Sequence, residues 1–163
     1  MSQRPAYIIC LFTIISILIT GLYLEYFEGI MPCPLCTLQR ICFVLLGVLF
    51  LLGIAAAHKR IIRAIINIII IFTSLMGSVL AARQIWIQYF PSSEQGECGV
   101  SLQYMLQVLP LQDVIHKIFS GTAECTQRGW EFLSLNIPEW SLAFFIAFGL
   151  ISLYYLLTSH KNN

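Results

Sequence analysis

The chain has 163 residues, of which 58% are hydrophobic and only 10% are charged, and its formal net charge is +1. The mean hydropathy of +0.82 lies outside the range of ordinary soluble domains. We therefore expect the chain to lie in a lipid bilayer and to have no nucleic-acid partner.

Four uncharged runs, at residues 7–24, 41–57, 64–82 and 140–157, are long enough to cross a bilayer. Four such runs in so short a chain leave too little polar surface to enclose them in a soluble protein. We predict an all-α membrane protein, a single domain of residues 1–163 that forms a four-transmembrane-helix bundle. The predicted spans are residues 7–27, 35–57, 61–88 and 139–157, with outer loops at 28–34 and 89–138. The first run lacks a small-x-small cleavage site, so we expect it to be retained as a helix.

The distribution of charge predicts the orientation of this bundle. With four spans, both termini and the link at residues 58–63 share one side of the membrane. That side carries five basic residues and no acidic residue: Arg4, Lys59, Arg60, Arg63 and Lys161. By the positive-inside rule we expect this side to be cytoplasmic and the two loops to face outward.

Two cysteines open the second predicted helix, in the sequence Cys33-Pro34-Leu35-Cys36. This spacing suits a redox-active pair or half of a metal site. If the helix begins at about Leu35, Cys36 lies in its first turn, where the helix dipole and unpaired N–H groups favour a thiolate. Arg40 follows four residues later on the same face, and its permanent charge adds to this effect. The pattern indicates sulfur that is kept reactive.

The longer outer loop contains a short amphipathic helix by the spacing of its apolar residues. From Leu111, apolar side chains recur at positions 114, 115, 118 and 119, and we expect this helix to rest in the membrane interface. Cys98 precedes this segment and Cys125 follows it. Cys10 and Cys42 lie inside apolar runs, and we assign them no role.

Three interpretations of the four outer cysteines compete. Static disulfides fit Cys33 and Cys36 badly, because a bond across two residues closes almost no loop. A four-thiolate zinc site usually needs two Cys-x-x-Cys knuckles, and the chain has one, so we assign no metal ligands. The third interpretation is a thiol–disulfide relay from the loop pair to the pair beside Arg40. Because no flavin, nicotinamide or haem motif is present, a quinone dissolved in the bilayer would accept the electrons.

Several motifs along the chain occur together in one known family. They are listed here in order: Cys33-Pro34-Leu35-Cys36 with Arg40, Arg83-x-x-Trp86-x-Gln88-x-x-Pro91, Cys98-Gly99, Leu109-Pro110-Leu111, Glu124-Cys125 with Trp130, and Ile137-Pro138-Glu139-Trp140. In this combination the chain resembles the DsbB family of bacterial disulfide bond formation proteins over nearly its whole length.

The resemblance implies a quinone-dependent protein-disulfide oxidoreductase of the bacterial inner membrane. In that family the loop disulfide, here Cys98–Cys125, is attacked by a reduced periplasmic thioredoxin-fold oxidase of the DsbA type, and Cys98 forms the mixed disulfide. Cys125 then attacks Cys33 and frees Cys36 as the thiolate that interacts with ubiquinone or menaquinone. Arg40 matches the arginine of the quinone site.

One residue departs from the pattern. Gln39 stands where a known member of the family has an acidic residue. A neutral side chain there removes a competing partner for Arg40, so we expect the electrostatics of the quinone site to differ. Arg83, Trp86 and Gln88 are candidates for further quinone contacts, although all three also suit a role as interface anchors.

Two other functions stay open at this stage. One is a non-enzymatic four-helix scaffold whose disulfides only hold its outer loops. The other is a quinone-linked thiol oxidoreductase of the vitamin K epoxide reductase type, although those enzymes place the active Cys-x-x-Cys late in the bundle.

Overall fold

The protein was analysed as a computed structural model, which describes residues 3–27, 33–55, 60–90, 110, 112, 131–132 and 135–161. Within these ranges four long helices are present: α1 (Arg4–Phe27), α2 (Pro34–Ala55), α3 (Arg60–Tyr89) and α4 (Ile137–Lys161). Each is long and apolar enough to cross a membrane. The predicted fold class, a four-helix membrane protein, is confirmed.

The helices pack in sequence, α1 on α2, α2 on α3 and α3 on α4. Their other flanks carry exposed apolar side chains, such as Ile9, Phe12 and Phe72, which suit contact with lipid. We call the end of the bundle that holds Cys33 and Ile137 the cysteine end, and the opposite end, where α3 begins at Arg60, the basic end.

Aromatic rings and close helix contacts hold the bundle together. Phe43 of α2 stacks on Phe145 of α4, with ring centroids 4.1 Å apart. Gly77 of α3 lies so close to the Phe145 ring that an added Cβ atom would be 2.5 Å from it. Because lipid tails are as apolar as the helices, such van der Waals contacts drive helix association more than burial from water does.

A polar cluster closes the basic end. The Tyr7 hydroxyl of α1 donates a hydrogen bond of 2.7 Å to the Asn67 side-chain oxygen of α3, and both residues are fully buried. Gly53 of α2 makes room for the Tyr7 ring, since a Cβ atom there would lie 2.5 Å from it. The cluster fixes α1 against α2 and α3 at the end remote from the cysteines.

A capping arrangement starts α4 at the cysteine end. The Asn136 backbone N–H donates to the Glu139 carboxylate at 2.7 Å, the N-cap to N3 contact of a capping box. The Tyr89 hydroxyl at the end of α3 donates to the same carboxylate at 3.2 Å. These contacts fasten the end of α3 to the beginning of α4.

Two short strands, β1 (Glu131–Phe132) and β2 (Leu135–Asn136), form an antiparallel pair just before α4. Sequence analysis did not predict them. The proposed amphipathic helix of the outer loop lies outside the described residues, except for positions 110 and 112.

Candidate functional site

The Cys-x-x-Cys motif lies at the start of α2, where Cys33 is the capping residue. Cys33 precedes the helix and Pro34 is its first residue, where a missing N–H costs nothing. The Cys33 carbonyl accepts the Thr37 N–H at 3.1 Å, and the Cys33 sulfur accepts the Cys36 N–H at 3.4 Å. Cys36 therefore lies in the first helical turn, as predicted from the sequence.

The Sγ atoms of this pair lie 3.1 Å apart, with Cys33 in the position of donor to Cys36. Cys33 is buried, whereas Cys36 is partly exposed. The two cysteines are therefore unequal, because Cys33 is buried and Cys36 is only partly buried.

An amide side chain from α3 reaches the Cys36 sulfur. Gln84 Nε2 lies 3.0 Å from Cys36 Sγ, and Gln39 Nε2 donates to Gln84 Oε1 at 2.7 Å. Each glutamine side chain is only 3% exposed. Sequence analysis did not assign Gln84, although a polar side chain buried in a membrane helix is itself a signal of function.

Arg40 is held by α1. Its guanidinium forms an ion pair with the Glu25 carboxylate and donates a hydrogen bond of 3.0 Å to the Gly21 carbonyl oxygen. Both charged side chains are about two-thirds buried, with exposed fractions of 31% and 32%. Although residue 39 is neutral, Arg40 still has a carboxylate partner. The carboxylate comes instead from a different helix, which the local sequence around Arg40 cannot reveal.

A cleft of about 440 Å³ opens between α1, α2 and α4 beside these residues. Cys36, Gln39, Arg40 and Glu25 form its polar end. The remaining wall is apolar or weakly polar and includes the aromatic side chains of Phe43, Trp140 and Phe144. Ligand sites commonly have this size and this combination of an apolar wall with a few polar groups.

The candidates from the end of α3 do not line this cleft. Gln88 accepts a 3.5 Å hydrogen bond from the Asn136 amide and so helps to hold the start of α4. Trp86 is 58% exposed and packs against Phe90. Arg83 is likewise absent from the lining residues. For these three residues, the interpretation as interface anchors fits better than contact with a ligand in the cleft.

The other cysteines divide into two groups. Cys98 and Cys125 lie outside the described residues, so their proposed pairing stays a prediction. Cys10 and Cys42 are free and buried in the helix core, and neither lines the cleft.

Comparison with known proteins places the chain in a family. A family model described as "Disulfide bond formation protein DsbB" matches residues 3–155. Disulfide bond formation protein B 1 of Pseudomonas aeruginosa is 39% identical over 147 residues, which cover 90% of each chain. Disulfide bond formation protein B of Hahella chejuensis is 37% identical over 148 residues, covering 91% of this chain and 90% of the relative. The relative of the same name from Stutzerimonas stutzeri is 35% identical over 96% of each chain. The resemblance suggested by the motifs is thereby confirmed, and the chain belongs to the DsbB family of disulfide bond formation proteins.

Proposed function

We propose that this membrane protein re-oxidises a periplasmic thioredoxin-fold dithiol oxidase of the DsbA type and passes the electrons to a quinone in the bilayer. The observation that carries the proposal is the position of Cys36. Its sulfur lies on the wall of an apolar cleft, together with Arg40. A reactive thiol beside an apolar site is what electron transfer from protein sulfur to a lipid-soluble acceptor requires.

The residues of the cleft fit a quinone head group. Its apolar and aromatic wall suits a flat ring, while Arg40 and Gln39 carry N–H donors suited to a carbonyl oxygen. Ubiquinone or menaquinone, when bound, supplies a two-electron acceptor that leaves as the quinol. The Glu25 carboxylate already forms an ion pair with the Arg40 guanidinium. The carboxylate and a quinone oxygen would therefore compete for the N–H donors of Arg40.

The protein's own cysteines supply the exchange steps. A thiolate of the reduced partner attacks the Cys98–Cys125 disulfide at Cys98, and the second partner thiolate then releases the oxidised partner. The Cys125 thiolate attacks Cys33 of a Cys33–Cys36 disulfide, so that Cys36 leaves as a thiolate. The Cys98 thiolate then attacks Cys125, which restores the Cys98–Cys125 disulfide and frees Cys33. Each exchange breaks one S–S bond and forms another, so one electron pair moves inward per turnover. The two thiol protons of the partner are released with that pair.

The start of α2 suits Cys36 as the sulfur that leaves. Its Sγ has a hydrogen-bond donor in the Gln84 amide. It also lies in the first turn, at the positive end of the helix dipole. These groups stabilise negative charge on Cys36.

We further propose that the cysteine end faces the periplasm and the basic end the cytoplasm of a bacterial inner membrane. The basic residues of the helix ends, including Arg63 near the start of α3, support this orientation by the positive-inside rule. Labelling of single-cysteine variants with a membrane-impermeant maleimide in intact spheroplasts tests it. Reaction at position 36, which is partly exposed, from the cytoplasmic side alone would contradict the proposed orientation.

Quinone reduction by the purified full-length protein tests the activity. With a reduced thioredoxin-fold oxidase and a short-chain ubiquinone, we expect loss of quinone absorbance at a rate that depends on both substrates. The Cys36→Ser variant should lose this activity. The matched control is Cys42→Ser, which removes a free thiol from the same helix outside the cleft and should keep it. Normal turnover by Cys36→Ser would refute the relay.

A further inference from the structure

Two glutamines from different helices form a directed chain of hydrogen bonds that ends on the Cys36 sulfur. Building on the proposed function, we infer that Gln84 stabilises the reduced form of the Cys33–Cys36 pair and that Gln39 is a positioning residue that aims the Gln84 amide. Together they raise the reduction potential of the pair. The sequence motifs of the chain point to neither role.

The direction of the chain follows from the chemistry of its members. A thiolate can only accept hydrogen bonds, whereas an amide offers one acceptor and two N–H donors. Gln39 Nε2 lies 2.7 Å from Gln84 Oε1 and so occupies the acceptor of the second amide. The donor end of Gln84 is then turned toward Cys36 Sγ, at 3.0 Å. Without Gln39, the Gln84 amide could turn over and present its oxygen to the sulfur.

Burial makes this chain effective. Both glutamine side chains are 3% exposed, so water does not compete for their hydrogen bonds. In such surroundings a hydrogen bond to a charged group is stronger, and an amide without a partner is costly. The two amide groups therefore keep a single orientation, in which Gln39 donates to Gln84 and Gln84 donates to Cys36.

Arg40 does not replace Gln84 in this role. Among the described residues, the charged groups that line the cleft with Cys36 are Arg40 on α2 and Glu25 on α1, and they form an ion pair with each other. Arg40 also donates to the Gly21 carbonyl oxygen. The guanidinium is thus directed toward α1, on the side of the cleft away from Gln84 of α3. The group that contacts the Cys36 sulfur is the Gln84 amide, whereas the positive charge that faces the cleft is the Arg40 guanidinium.

The consequence concerns the oxidation state of the pair. Reduction of the Cys33–Cys36 disulfide takes up two electrons and one proton, which leaves a thiol at Cys33 and negative charge on Cys36, where Gln84 can stabilise it. A disulfide sulfur is a poor acceptor and gains less from the same donor. The amide chain therefore favours the dithiol form and makes the disulfide form a stronger oxidant of the loop pair.

The test is a redox titration of the Cys33–Cys36 pair without quinone or partner protein. Full-length protein with Cys98→Ser and Cys125→Ser is equilibrated in detergent with mixtures of reduced and oxidised glutathione. Alkylation and mass spectrometry then give the reduced fraction. Gln84→Met removes the donor at similar side-chain volume, and Gln39→Met removes only the group that orients it. Gln88→Met is the matched control, because Gln88 lies one turn further along α3 and contacts Asn136 instead of the cleft.

We expect Gln84→Met to shift the equilibrium toward the disulfide by about tenfold, equivalent to about 30 mV for two electrons. A smaller shift in the same direction is expected for Gln39→Met, and none for Gln88→Met. An unchanged equilibrium in Gln39→Met and Gln84→Met, or an equal shift in Gln88→Met, would overturn the inference. If Gln84→Met does not fold, Gln39→Met decides the matter alone, since it leaves Gln84 and both sulfurs in place.

This titration is independent of the proposed quinone reduction. A folded protein that shifts its equilibrium as expected but reduces no quinone keeps the role of the amide chain and loses the proposed function. A protein that reduces quinone, but whose Gln39→Met and Gln84→Met variants leave the thiol–disulfide equilibrium unchanged, keeps the proposed function and loses the role of the amide chain.

Discussion

The ion pair between Glu25 and Arg40 leads to a prediction about quinone affinity. Glu25→Gln keeps the shape of the side chain and an oxygen that can accept a hydrogen bond from Arg40, but it removes the negative charge. If carboxylate and quinone compete for the same guanidinium, this substitution should lower the KM for quinone.

The expected magnitude follows from the exposure of the pair. Two unit charges about 4 Å apart attract by about 4 kcal/mol at an effective dielectric constant of about 20. Desolvation offsets much of that attraction. Because both side chains are about one-third exposed, screening by solvent reduces the remainder to about 1 kcal/mol. That free energy corresponds to about a fivefold decrease in KM.

Steady-state quinone reduction at varied ubiquinone concentration measures this effect. The control is Glu25→Gln combined with Arg40→Ala, because a carboxylate that acts through Arg40 should have no effect once Arg40 is gone. Arg40→Ala alone should raise the KM for quinone or lower kcat. An equal or higher KM in Glu25→Gln, or the same decrease in the Arg40→Ala background, would refute the competition.

Two further predictions concern the outer loop and the helix packing. Cys98→Ala should eliminate the mixed disulfide with the soluble oxidase on non-reducing gels, and a persistent adduct would show that another cysteine is attacked. Gly77→Ala should lower the free energy of unfolding in detergent by about 1–3 kcal/mol, and with it the melting temperature, because its Cβ would meet the Phe145 ring. The matched control Gly47→Ala should be neutral or stabilising, since its Cβ would be at an ordinary contact distance of 3.5 Å from α1. Equal melting temperatures for these two alanine variants would contradict the close contact at Gly77.

The bundle itself could be predicted well because its signals are local. Each helix is a continuous apolar run. The start of α2 is marked by Pro34 as its first residue, preceded by the capping residue Cys33. The beginning of α4 was placed two residues late, since its cap depends on the contact between Glu139 and the Asn136 backbone. The short pairing of β1 and β2 had no alternating pattern long enough to be recognised.

The site was only partly predictable. Cys33, Cys36 and Arg40 stand out because they lie within one short stretch and their spacing has chemical meaning. Gln84 lies just past the third apolar run, where position alone suggests an interface residue. Glu25 likewise looks like a polar residue that ends the first span. Neither sequence position reveals that its side chain turns inward to meet α2.

The sequence by itself determined that the chain has four membrane helices, which end carries the basic residues, and that two cysteines stand at a helix start. These features depend on hydropathy and on spacing over a few residues. Only the tertiary structure decided which groups contact Cys36 and Arg40. Their partners, Gln84 and Glu25, lie 48 and 15 residues away along the chain, on α3 and α1. Hydrogen bonds and ion pairs act over a few ångströms, so such partners are chosen by how the helices pack against one another.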